Sequence, residues 1–145
     1  GNQGRLLVFK LGGSTVPLPP ELPKLDVAPE PPAQAAGVTP ATIAQGQQLF
    51  FANCVMCHAN QHRSITPDLR RMQPGTHQAF SKIVLEGLLL QNGMPRWDDV
   101  LKPQEVAAIH AWLIDEQRKT RADELEKQKR GIPLDAPSLA ILSNY

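Results

Sequence analysis

Only 2 cysteines occur in 145 residues, too few for a disulfide-dense scaffold. Charge of one sign is lacking as well. Lys+Arg 15 stand against Asp+Glu 14, which excludes a strongly basic nucleic-acid binder and a strongly acidic tail. The balance also holds locally: 3 positives and 3 negatives in residues 1–40, 5 and 4 in 41–100, and 7 and 7 in 101–145. A partner that needs a polybasic arm is therefore not served. No apolar run approaches the roughly 18 residues of a membrane span. Aromatics are scarce, with Phe 4, Trp 2 and Tyr 1. Paired carboxylates for acid–base work, a catalytic triad and a phosphate-cradling glycine loop are all missing. What remains is a hydrophobic content of 41%, enough for a modest core, in a chain that suits one domain plus tails.

Proline is the residue in excess. Its 14 copies are about twice the usual share of roughly 5%. Eight lie between Pro17 and Pro40: 17, 19, 20, 23, 29, 31, 32 and 40. Such a stretch cannot be a helix and lacks donors for a central strand. It is expected to be a semi-rigid linker, extended at about 3.1 Å per residue and so able to reach roughly 70 Å. Before it, Arg5 to Leu11 reads as one short strand ended by Gly12-Gly13. One strand is not a domain, and the chain starts at Gly1 with no initiator Met or signal peptide. Both features predict a piece of something longer.

Helical signals begin after the linker. Thr39-Pro40 reads as an N-cap followed by proline at the first helical position, with Ile43, Gly46, Leu49, Phe50 and Cys54 at helical spacing. A second helix is expected from Gly75-Thr76, with a face of Phe80, Ile83, Val84, Gly87 and Leu88. A third starts at Lys102-Pro103, with Val106, Ile109, Trp112 and Leu113 as its buried stripe. Beyond Asp115 the pattern turns polar. Glu–Lys spacing supports an exposed helix ending near Gly131, whose lone apolar residue, Leu125, gives it little to bury. The proline-bearing tail from Ile132 to Tyr145 should wrap over the domain as an extended segment. The expected divisions are 1–16 (strand), 17–38 (linker), 39–115 (helical domain) and 116–145 (polar helix and tail).

Both cysteines fall in Cys54-Val55-Met56-Cys57-His58. Cys-x-x-Cys-His is the attachment signature of c-type haem. Two thiols three residues apart at a helix end can each form a thioether with a haem vinyl group, and the next residue, His58, then presents its imidazole to the iron. Half a zinc site would need two further ligands at finger spacing, and His62, His77 and His110 form no such pair. A thioredoxin-like redox pair should follow a strand in a βαβ unit, and here a helix precedes it.

The sixth iron ligand must come from Met56, Met72, Met94, His62, His77 or His110. Met56 lies inside the attachment loop and cannot reach across the haem. Met94, in Asn92-Gly93-Met94-Pro95, is favoured: Gly93 permits close backbone approach, Pro95 stiffens the loop, and the 36 residues after His58 suffice to cross the haem. Met72 reads as packing, His77 and His110 as exposed or half-buried helix residues, and His62 as a loop residue. A thioether ligand favours Fe(II) and raises the potential. Two strong ligands leave no open position, which argues for outer-sphere electron transfer over oxygen or peroxide chemistry.

Cys-x-x-Cys-His, Pro67-Asp68-Leu69 and Gly93-Met94-Pro95 follow one another in the order of a class I cytochrome c domain, which residues 39–115 resemble. The resemblance implies an all-α fold with three core helices around one covalent haem c. It implies that Gly46 and Phe50 pack against Trp112. The Pro67 carbonyl would accept a hydrogen bond from His58, which would make that ligand more basic. Leu69 would lie against the haem, and Trp97 near a propionate, with Arg70, or else Arg71 or Arg96, serving a propionate by charge. His58 and Met94 would be the iron ligands. Ala59 and Thr66 stand where the family often has glycine.

The flanks extend the resemblance. A strand, a proline-rich linker and then this domain are similar to the C-terminal end of a quinohaemoprotein alcohol dehydrogenase, in which a propeller domain holds pyrroloquinoline quinone (PQQ). Residues 5–11 would be the last propeller strand. The resemblance implies a periplasmic domain that accepts electrons from reduced PQQ in the parent chain and passes them to a copper protein, another cytochrome or an oxidase. PQQ would belong to the missing parent domain only, and the 145-residue chain would not itself be an enzyme. Two other readings stay open: a free-standing or otherwise fused monohaem carrier, and a haem-based ligand sensor should Met94 be labile.

Overall fold

The computed structural model describes residues 11–13, 24–58 and 66–139. The strand expected before Leu11, the first part of the linker, Ala59 and His62 lie outside the described residues. Among those described there are three α-helices and no strand: α1 (Pro40–Asn53), α2 (Pro74–Leu85) and α3 (Pro103–Lys129). Short 3-10 turns occupy Leu69–Arg71 and Leu90–Asn92.

Each helix begins with proline at its first position, where the missing N–H costs nothing. At α1, the Thr39 hydroxyl accepts from the Thr42 amide at 3.2 Å, and the Thr42 hydroxyl accepts from the Thr39 amide at 3.4 Å. At α3, the Glu105 carboxylate accepts from the Lys102 amide at 2.8 Å, placing negative charge at the positive end of the helix dipole.

The crossing of α1 and α3 is the tightest contact. A β-carbon placed on Gly46 would stand 2.0 Å from the Ala108 carbonyl oxygen, so only glycine lets the backbones meet. One turn on, the Phe50 and Trp112 rings lie 4.7 Å apart at 45°. Phe50, Met72, Phe80, Val84, Leu101, Val106, Ile109, Trp112 and Leu113 form the buried cluster. The α2 face is shorter than its spacing suggested. His77, Phe80 and Val84 are buried, but the helix stops at Leu85 because Gly87 takes the left-handed conformation at φ 73°. Leu88 therefore lies beyond the helix and is exposed.

Two segments depart from expectation. Helix α3 crosses residue 115 without a break, and its polar second half is not an exposed face. Gln117, Glu124 and Lys127 are 0%, 1% and 2% exposed, while Leu125 is exposed. Part of their pairing comes from the chain ends. Residues 24–34, expected as part of a semi-rigid extended linker, lie docked along α3 with Ala28 and Pro31 buried. The Ala28 amide donates to Glu124 at 2.7 Å. Arg121 donates to the Ala28 carbonyl at 2.6 Å, Gln117 to the Pro29 carbonyl at 3.0 Å, and Gln34 to the Ala111 carbonyl at 2.7 Å. On the other flank, Lys127 pairs with Asp123 at 2.8 Å and donates to the Ala136 carbonyl at 2.7 Å. Asp123 also accepts from the Leu139 amide at 2.7 Å, which seats the tail. Apolar periodicity gives no signal for this half-helix, which is stabilised by satisfied buried polar groups.

Candidate haem site

The Cys54–His58 loop continues α1 as a last turn. The Cys54 amide donates to the Phe50 carbonyl at 2.8 Å and the His58 amide to the Cys54 carbonyl at 2.9 Å. Cys54 is half-buried against the core and Cys57 is exposed, and the two form no disulfide. Burial, and then the neighbouring Cys57, push the Cys54 thiol up to about 11. That is opposite to the lowered thiol of a redox-active Cys-x-x-Cys pair. No cluster of three or more metal-ligating His, Cys, Asp or Glu occurs among the described residues, so nothing there completes a zinc site.

His58 Nδ1 lies 3.2 Å from the Pro67 carbonyl oxygen. A carbonyl only accepts, so Nδ1 carries the proton and Nε2 keeps its lone pair for a metal. The Thr66 hydroxyl donates to the Cys57 carbonyl. The residue standing where glycine is common thus ties the Pro67 segment to the attachment loop.

Met94 follows a tight loop. The Gly93 amide donates to the Leu90 carbonyl at 3.0 Å and the Met94 amide to the Leu89 carbonyl at 3.2 Å. Gly93 has φ 90° with open space where a β-carbon would stand, so glycine is needed there for its backbone conformation. Met94, Leu69, Trp97 and Cys54 are half-buried against the same core cluster, and the Trp97 amide donates to the Val84 carbonyl at 2.9 Å. Met56 is 93% exposed and Met72 is buried in the core.

The arginines are committed to carboxylates. Arg70 forks onto Asp68 at 2.9 and 2.8 Å, and Arg96 onto Asp98 at 3.0 and 2.6 Å. Arg71 pairs with Glu124 and also donates to the Asp26 carbonyl.

The histidines outside the motif are internal partners. Gln117 donates from Nε2 to the Met72 and Pro29 carbonyls, both at 3.0 Å, so its Oε1 must accept from His77 Nε2–H at 3.0 Å. His77 Nδ1 then accepts from His110 Nε2–H at 2.9 Å, and Phe80 stacks on His110 with ring centroids 4.4 Å apart. Burial lowers the pKa of His77. Burial, and then His77, push His110 down to about 4. The pair is thus neutral near pH 7. The spacing of Gln117, Arg121 and Glu124, which continues the stripe of Val106, Ile109 and Leu113, was the available signal for this network.

The donor set fits a covalent haem: two thiols one helical turn apart, an imidazole with its proton fixed on the far nitrogen, and a methionine on a glycine-shaped loop. Leu88, Leu89 and Leu90, which lead in sequence into the Met94 loop, are exposed, and apolar side chains there would gain from an apolar macrocycle beside that loop. Fold and site together define a class I cytochrome c.

The comparisons with known proteins agree. Residues 41–113 match the family model described as cytochrome c oxidase, cbb3-type, subunit III, and the chain belongs to this cytochrome c family, whose members carry covalent haem c and transfer electrons. It is 38% identical over 121 residues to quinohemoprotein alcohol dehydrogenase ADH IIB of Pseudomonas putida, covering 80% of this chain and 17% of that protein. It is also 38% identical to cytochrome c6 of Tetradesmus obliquus over 85 residues, covering 52% of this chain and 92% of that protein. The solved structure of quinohemoprotein alcohol dehydrogenase ADHIIG from Pseudomonas putida HK5 superposes with a TM-score of 0.59 at 34% identity, covering 72% of this chain and 15% of that one. The chain is therefore homologous to the cytochrome domain of quinohemoprotein alcohol dehydrogenases and spans about a sixth of their length. No helix among the described residues is long and apolar enough to cross a membrane.

Proposed function

We propose that this chain is the single-haem electron-transfer domain of a periplasmic PQQ-dependent alcohol dehydrogenase. Cys54 and Cys57 hold the haem, and His58 and Met94 ligate its iron. Leu69 would pack on the macrocycle, Trp97 would lie near its propionates, and Arg70, already forked onto Asp68, would share its charge with them. When bound, the haem supplies a one-electron Fe(III)/Fe(II) couple. The chain's own residues set that couple's surroundings. Pro67 holds the His58 proton and so strengthens Nε2 as a donor, and the soft Met94 thioether raises the potential.

Electrons enter one at a time from reduced PQQ in a preceding dehydrogenase domain. They leave to an external copper protein, cytochrome or oxidase. Residues 1–16 belong to that preceding domain and 17–38 join it to the cytochrome, a tether that keeps donor and acceptor at high effective concentration. The observation that carries this reading is the His58–Pro67 contact at 3.2 Å within a Cys-x-x-Cys-His turn, in a chain 38% identical to a quinohemoprotein alcohol dehydrogenase.

In the full-length host protein, stopped-flow mixing with an alcohol should show PQQ oxidation state change first and haem reduction after it. The isolated haem-loaded chain should show no alcohol oxidation with added quinone. Haem that stays oxidised in the full-length protein during alcohol turnover would contradict the proposal. The match to nearly the full length of a cytochrome c6 supports a second reading, a carrier that is free-standing or fused to another dehydrogenase. A host protein of cytochrome size on a gel would favour it.

A further inference from the structure

Residues 24–34 and the proximal side of the haem site share the same two side chains. Glu124 accepts the Ala28 amide with Oε2 at 2.7 Å and pairs through Oε1 with Arg71, which itself donates to the Asp26 carbonyl. Gln117 donates to the Pro29 carbonyl and to the Met72 carbonyl, both at 3.0 Å. Arg71 and Met72 close the Leu69–Arg71 turn, and the other end of that turn is tied within itself. The Arg71 amide donates to the Asp68 carbonyl at 3.0 Å, and the Arg70 amide to the Asp68 carboxylate at 3.0 Å. The residue before Asp68 is Pro67, whose carbonyl lies 3.2 Å from His58 Nδ1. That distance is the long limit of an N–H···O hydrogen bond, so a small shift of the turn decides whether the bond survives.

We propose that Glu124 and Gln117 are positioning residues that couple the docking of residues 26–29 to the hydrogen bond on the proximal ligand His58. With the segment docked, Arg71 and Met72 are held, the turn is fixed and Pro67 faces His58. With it released, Arg71 loses a carbonyl partner and Gln117 loses one of two acceptors, and the turn is free to withdraw Pro67. The docked and released segment is the two-state element that such coupling requires. In a tethered dehydrogenase, a pull on the linker would then be read at the iron. The inference rests on the haem reading of His58, and its test separates the two.

The test uses the haem-loaded full chain, its Glu124→Gln and Gln117→Leu variants, and the double variant Arg71→Met, Glu124→Leu. The double variant removes both charges together and leaves no buried charge unpaired. In the reduced protein, NMR would follow solvent exchange of the Ala28 amide, of the His58 Nδ1 proton and of the α1 amides, and the midpoint potential would be measured alongside. All three variants are expected to accelerate Ala28 and His58 exchange by about tenfold or more, the loss of one strong hydrogen bond. The α1 amides should keep their protection. The potential should rise, because a less basic His58 stabilises Fe(III) less. Ala28 exchange that accelerates while His58 exchange and potential match the parent would overturn the coupling, as would unchanged Ala28 exchange. A parent chain that takes up no haem would overturn the site reading instead.

Discussion

The two halves of α3 reach burial by opposite means. From Pro103 to Ile114 the helix presents Val106, Ile109, Trp112 and Leu113 to α1 and α2, and van der Waals packing with apolar desolvation holds it. From Asp115 to Lys129 it buries Gln117, Glu124 and Lys127, whose partners are shared between the docked chain ends and the side chains and backbone of Arg71, Met72, His77 and Asp123. The first half is cheap to specify and tolerant of approximate shape. The second depends on particular donors meeting particular acceptors, because a buried polar group left unpaired costs about 1–3 kcal/mol. The first half builds the site, and the second fixes how the rest of the chain is mounted on it.

The largest effect should come from removing the proposed haem attachment. A Cys54→Ala, Cys57→Ala double variant should retain no haem and lose cooperative melting by circular dichroism, because a domain of this size is marginal without a large apolar partner. Native-like melting without haem would mean that the helices suffice alone.

Next is the helix crossing. Gly46→Ala places a β-carbon 2.0 Å from the Ala108 carbonyl oxygen and forces α1 off α3. Chemical denaturation of the haem-loaded protein should show a loss of about 3 kcal/mol, the upper end for overpacking. The comparison sharpens at Glu124. Glu124→Leu alone strands Arg71 and should cost about 2 kcal/mol, whereas the Arg71→Met, Glu124→Leu pair should come back toward the parent.

A smaller effect separates the halves by pH. His110 has a folded pKa of about 4 and an unfolded one of about 6.5. Above pH 6.5 it is neutral in both states and contributes no slope. Between 6.5 and 4 the unfolded chain takes a proton that the folded one refuses, so stability falls as pH falls and levels off below 4. His77, lowered for the same reason, adds to the slope. A His110→Gln variant should flatten that part of the melting-temperature curve, and an unchanged slope would remove the histidine pair as its cause. The smallest effect is expected at the exposed Lys119, which bridges Asp115 and Glu116. Lys119→Ala should change stability by no more than about 0.5 kcal/mol.

Legibility in the sequence follows the same division. The proline starts at Pro40 and Pro103 and the stripe ending at Leu113 were readable because apolar periodicity and missing N–H groups are local signals. The pairing of His58 with the Pro67 carbonyl was an expectation carried by resemblance, and the structure sets those atoms at hydrogen-bond distance. The docking of residues 24–34 was not readable. Ala28 and Pro29 bind through backbone atoms, which every residue has, and their partners lie 88 and more residues away. Proline richness pointed to an extended chain and was silent about where it rests. Glu124 looked like one more solvated charge until its partners were in place.

The central claim is that His58 and Met94 close a haem whose work is electron transfer. The most direct measurement is the visible and far-red spectrum of the oxidised haem-loaded chain beside its Met94→Ala variant. A weak methionine–Fe(III) charge-transfer band present in the parent and absent in the variant is the predicted result. A band that survives in Met94→Ala, or a parent that lacks it, would contradict the account.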